Sequence, residues 1–127
     1  MRQLFSAAIC LCIVTGCANQ NPEPVSRPAT TEEVEQIRQT MRATDPKAVV
    51  GIVIATLPDQ RFAAVGDVPV MEFRLNEPIT FIDARQHPLA HGVIKNITTD
   101  ALHVKYDPPA KNGRDPQVGD LAIRFKP

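Results

Sequence analysis

The sequence predicts an all-β domain, a small barrel or sandwich of six to seven short strands preceded by one amphipathic helix. Three observations lead there. From Ala48 onward, short β-branched runs recur at roughly ten-residue spacing, as in compact antiparallel β-domains. Pro, Gly, Asn and Asp separate the runs, each with its own mechanism for turning the chain. Ahead of them, residues 30–45 repeat their apolar side chains at steps of three and four instead of two.

The helix comes first. Thr30 with Glu33 fits a capping box, and Glu32, Glu33 and Glu35 fall where a helix dipole favours negative charge. Val34, Ile37 and Met41 form one narrow stripe; Arg38 and Arg42 lie towards the end, and Asp45-Pro46 stops the helix. Three apolar positions are too few for a free coiled coil. The stripe is therefore expected to dock on its own domain, with an oligomerising seam as the alternative.

The candidate strands are residues 49–56, 61–65, 70–75, 79–83, 90–97, 102–106 and 120–125. The two halves echo one another. Gly51 opens one hairpin and Gly92 the other; Asn76 and Gly119 each begin a later polar turn and strand, and Asp59 and Asp100 fall in matching turns. With Thr99-Asp100 as a turn centre, strict alternation puts Ile97 opposite Leu102, Lys95 opposite Val104 and Val93 opposite Tyr106 on the core face. Ile94, Asn96, His103 and Lys105 then share the wetter face. The first hairpin reads as apolar on both faces, and the helix is its natural cover. Ile54, Phe62, Phe81, Val93, Val104 and Ile123 are the expected core.

The N-terminus has a different texture. Arg2 precedes a nearly uninterrupted apolar run, residues 4–14, too short for a membrane span of roughly 20 residues but suited to a secretory signal. Val14-Thr15-Gly16-Cys17 then resembles the lipobox of bacterial lipoproteins. The resemblance covers the signal region alone. It implies cleavage after residue 16, acylation of Cys17 and a membrane anchor. In that family aspartate after the cysteine is associated with the inner membrane, so Ala18 implies an outer-membrane, periplasm-facing location, the inner membrane being the lesser alternative. Several acyl chains on one residue hold far more firmly than one, each buried methylene contributing about 0.8 kcal/mol.

The expected organisation is therefore a signal over 1–16, a lipidated cysteine and tether over 17–29, and the helix plus β-domain over 30–127. Residues 18–29 hold three prolines and one sizeable apolar side chain, Val25, the composition of an extended, mobile tether. Cys10 and Cys12 leave with the signal and Cys17 carries lipid, so no disulfide or thiolate site is expected in the mature protein.

Composition narrows the chemistry. Losing Arg2 leaves 13 of the 14 basic residues against 14 acidic ones, which gives no cationic field for nucleic acid. The mature chain's only serine is Ser26, in the tether, so no nucleophile stands beside a base. No enzyme activity, resident metal or cofactor is expected. Two alternatives are concrete. Glu72, Glu77, Asp83 and Asp107 could supply the paired carboxylates of a small envelope hydrolase, although a chain with no Trp and one Tyr lacks aromatic platforms for sugars. His87, His91 and His103 could hold a metal or ligand, but strand alternation sends His91 and His103 to opposite faces. The favoured reading is a non-enzymatic binding or scaffolding module of the cell envelope. Its protein partner is unknown, and its expected contact is the long loop 107–120 through Lys111, Asn112 and Arg114.

Overall fold

The computed structural model describes residues 24–109 and 111–125. Cys17, the signal sequence and the first part of the tether lie outside them. The chain runs through one helix, α1 (Thr31–Thr44), and six strands: β1 (Val49–Leu57), β2 (Phe62–Gly66), β3 (Pro78–Ile82), β4 (Pro88–Ile97), β5 (Leu102–Tyr106) and β6 (Leu121–Arg124). The strands close into an antiparallel barrel in the order β1-β2-β5-β4-β3-β6. Closure removes the sheet edges that a short open sheet would expose. The barrel with its preceding helix is the architecture expected from the sequence.

The helix begins as its sequence dictates. The Thr30 hydroxyl accepts from the Glu33 N–H at 3.1 Å, and the Glu33 carboxylate accepts from the Thr30 N–H at 2.9 Å, completing the capping box. Val34 and Ile37 are buried and Met41 is partly so, packed with Val50, Ile82, Leu121 and Ile123 on the outer face of the barrel. The stripe is thus satisfied within the chain. With the barrel interior on one side and α1 on the other, all four residues of β6 are buried. The helix covers β1, β6 and β3; it does not reach the far end of the β1–β2 hairpin, where Ile54 and Leu57 are 49% and 59% exposed.

Two features differ from simple alternation. Residues 70–75 are not a strand. Val70–Glu72 form one 3-10 turn after Pro69, placing Val70 and Phe73 inward while Met71 stays exposed. An i, i+3 apolar pair suits a helical turn, and Pro69 has no N–H to offer a ladder.

The second difference is a β-bulge in each hairpin. On β4 the pairing skips Lys95, so Ile94, not Lys95, lies opposite Val104, and Gly92, not Val93, lies opposite Tyr106. Ile94 is fully buried, Val93 is half-buried and Lys95 is exposed. The extra residue takes the ammonium group off the inward face, where burying it unpaired would be costly. On β1 the pairing skips Ile54, which turns outward. Of the expected core, Phe81, Val104 and Ile123 are buried, Phe62 and Val93 are half-buried, and Ile54 belongs to the surface.

The echo between halves reaches down to register. Carrying β1 onto β4, β2 onto β5 and β3 onto β6 reproduces every neighbour relation of the closed barrel. The bulge at Ile54 falls on the bulge at Lys95, and Gly51 falls on Gly92. Val53 exchanges backbone bonds with Gly119 and Asp120 as Ile94 does with Asn76 and Glu77. Asn76 and Gly119 both have positive φ, 69° and 95°. The barrel carries an internal pseudo-twofold relation.

Candidate functional site

The most built-up polar region is where residues 24–29 cross the barrel. Two buried carboxylates organise it. Asp83 is 0% exposed and stands at the end of β3. Its Oδ1 accepts from the N–H groups of Arg85 and His87 at 2.9 and 2.8 Å, which folds the 83–87 turn around it. Its Oδ2 accepts from the Val25 N–H at 2.7 Å and lies 3.0 Å from His87 Nδ1. Burial pushes the Asp83 carboxyl up, but the N–H donors of Val25, His87 and Arg85 and the His87 ring outweigh it, holding the carboxyl below the usual aspartate value.

Asp120 is 1% exposed and begins the approach to β6. It receives a two-pronged contact from Arg114 at 2.7 and 2.9 Å and the Gln117 N–H at 2.6 Å. The same Arg114 guanidinium donates to the Val25 carbonyl. Ala29 N–H donates to the Gly119 carbonyl at 3.0 Å, and Pro28 rests on Gly119, where a Cβ would lie 2.4 Å from the proline ring. Arg27 pairs with Glu33 at 2.7 Å at the start of α1, lowering the Glu33 carboxyl to about 2. The described part of the expected tether is therefore a strap fastened to the barrel. The mobile-tether expectation stops at Pro24, because prolines here replace only N–H groups the strap does not use.

This clasp also corrects the expectation for loop 107–120. Lys111 and Asn112 are exposed, and Asn112 turns the chain with φ 67°. Arg114 is held beneath the strap by Asp120 and Val25, which makes it a structural bridge with a side chain 17% exposed. Tyr106 sits nearby under the same loop. Burial raises its phenol to about 12, with the Asp115 carboxylate adding to the rise.

The other expected site residues are scattered. Glu72 and Asp107 are exposed. Glu77 accepts from the Arg74 N–H at 2.7 Å and lies 3.6 Å from Arg124, and Asp83 is consumed by the clasp. His87 belongs to Asp83, His91 Nδ1 lies 3.2 Å from the Thr80 hydroxyl, and His103 is half-buried on β5. Among the described residues no three His, Cys, Asp or Glu side chains could hold a metal ion together. Nor is any described helix long and apolar enough to cross a membrane.

The β1–β2 hairpin carries an open apolar depression of about 530 Å³ lined by Ala55, Thr56, Leu57, Phe62, Ala63, Ala64 and His103. Sequence reasoning read the first hairpin as buried on both faces and assigned Ile54 and Phe62 to the core. The bulge at Ile54 and the shortness of α1 leave them at the surface instead. Asp120 and the strap were also missed. The available signal was the Val118-Gly119-Asp120 triplet, a positive-φ residue followed by an acid, in the position that Asn76-Glu77 holds in the other half.

No protein-family model, curated protein or solved structure matches this chain.

Proposed function

We propose that this protein is a lipid-anchored, non-enzymatic binding module of the bacterial outer membrane, facing the periplasm through its barrel. The lipobox-like Val14-Thr15-Gly16-Cys17 supports the anchor. The observation that carries the binding role is the apolar end of the β1–β2 hairpin. Ile54 and Leu57 are about half exposed there, beside a depression whose lining is mostly apolar. Contiguous exposed apolar surface on a small domain marks a place where another molecule sits. The carboxylates that hydrolysis would need are instead consumed in turns or lie apart on the surface.

The anchor and the binding surface are tested separately. Cys17→Ser should leave unprocessed precursor and abolish labelling by a fatty-acid analogue; normal labelling of that variant removes the anchor. A photoreactive residue in place of Leu57, introduced in intact cells, should give a discrete higher-mass adduct, and the same residue in place of the exposed Asp100 should not. Equal yields at both positions, or none at Leu57, remove the binding surface.

A further inference from the structure

A second depression lies on the other side of the helix, between the C-terminal half of α1, the turn into β1 and the 67–72 segment. It holds about 740 Å³, and four cations line it: Arg38, Arg42, Lys47 and Arg124. They are not equivalent. Arg38 is committed, donating to the Val50 carbonyl at 2.9 Å and to Asp67 Oδ2 at 3.0 Å, with Glu35 on its other nitrogen. Arg124 is 6% exposed, stacked 4.2 Å over the Phe73 ring, and bonded to the Glu72 carbonyl at 2.8 Å. Its Nε is buried with no hydrogen-bond partner among the described residues. Arg42 and Lys47 are exposed on the rim, and among the described residues neither side chain has an ion-pair or hydrogen-bond partner. Against them stand Asp67, already neutralised by Arg38, the exposed side chain of Glu72, and Glu77, which lies 3.6 Å from Arg124.

We propose that this groove binds a phosphate group, held at its rim by Arg42 and Lys47 above the buried guanidinium of Arg124. The two rim cations together match a phosphate monoester, which carries about −1.5 to −2 charges at neutral pH. Arginine presents planar donors suited to such an oxyanion, and lysine adds a mobile point charge. Arg124 contributes a fixed positive charge, partly offset by Glu77 at 3.6 Å, on a wall of low dielectric where fields act at greater strength than in water. The carbonyl end of α1 and the Glu72 carboxylate oppose the ligand. That opposition makes the proposal directional, since neutralising Glu72 must strengthen binding. The phosphate could come from a soluble ligand or from a phospholipid headgroup, and both present the same chemistry to the groove.

The test uses the full lipidated chain in phosphatidylcholine nanodiscs, with inorganic phosphate as the probe and the side-chain N–H signals of Arg42 and Arg124 observed by NMR. Phosphate should produce saturable shifts. The R42A/K47A double variant should weaken binding about tenfold, and Glu72→Gln should tighten it about threefold. Both rim residues lack side-chain partners among the described residues, so the double variant should melt like the wild type. Nanodiscs containing phosphatidic acid should reproduce the shifts without added phosphate if the source is a headgroup, and should leave the phosphate titration unchanged if it is soluble. Non-saturable shifts in both settings overturn the proposal, as does equal affinity in the double variant, or in Glu72→Gln, and the wild type.

Discussion

Glu77 and Asp120 occupy the same place in the two halves of the barrel and do different jobs. Each follows a residue of positive φ and accepts from the N–H three residues back, Arg74 at 2.7 Å and Gln117 at 2.6 Å. Each returns a backbone bond to the strand beyond the bulge and faces an arginine. There the likeness ends. Arg124 stands 3.6 Å from Glu77, whose side chain is 22% exposed. Arg114 stands 2.7 Å from Asp120, whose side chain is 2% exposed because the strap lies over it. The turn is thus a unit of folding that both halves need. One copy has been recruited to hold the strap, and the shorter acid allows Arg114 to reach both Asp120 and Val25.

The largest expected effect breaks that comparison at its centre. Asp120→Ala leaves Arg114 beneath the strap without its counter-charge and frees the Gln117 N–H, which should cost about 3–5 kcal/mol in urea unfolding. Glu77→Ala removes a more exposed pair and one N–H acceptor, and should cost about 1 kcal/mol. Equal costs would mean that the strap adds nothing to the Asp120 turn.

The paired glycines offer a finer test. At Gly92 an added Cβ would lie 2.5 Å from the Lys105 carbonyl oxygen and 2.8 Å from the Tyr106 Cα, atoms that cannot move without breaking the ladder. At Gly51 its closest neighbours are the Val68 and Val65 methyls at 2.5 and 2.6 Å, which can rotate. Gly92→Ala should therefore cost about 2–3 kcal/mol and Gly51→Ala about 1 kcal/mol, as overpacking against rigid and yielding neighbours does. The reverse order of melting temperatures would show that β1, pinned under α1, is the stiffer strand.

The smallest effect appears only in acid. Asp83 holds Val25 with a carboxyl lying below the ordinary aspartate value, so its contribution is complete above about pH 4 and lost as pH falls through its native value. The Val25 amide resonance should show a step below about pH 4 that is absent in Asp83→Asn. The Ala29 amide, bonded to a carbonyl, should not follow that titration directly. A Val25 midpoint above pH 4 would mean that burial, not the N–H donors, governs the carboxyl.

Local signals carried much of this fold. The Thr30–Glu33 capping box, the Val34–Ile37–Met41 stripe and six of the strand runs could be read directly, because each depends on residues within one turn or one hairpin. The match of Asn76 with Gly119 was visible as a faint echo and proves to be an equivalence of register. The bulges at Ile54 and Lys95 were not legible. A bulge is a decision of two paired strands, and the sequence of one strand alternates as though it were absent. Its neglect misplaced Ile54, Val93 and Ile94. The clasp was harder still, since Val25 meets Asp83 and Arg114 across most of the chain. Asp83 and Arg114 were noticed as charged groups that might do chemistry or meet a partner; only the fold reveals that each is occupied by the chain itself.

The strap also sets how the molecule carries a load. A pull on the chain ahead of Val25 is borne first by the Val25 and Ala29 contacts, in series before α1 and the closed barrel. Those few bonds must part before force reaches the helix. Their release frees residues 24–29, about 20 Å of extended chain at roughly 3.3 Å per residue, with every strand of the barrel still paired. The molecule thus has a built-in slack, taken up at rest and yielded under tension.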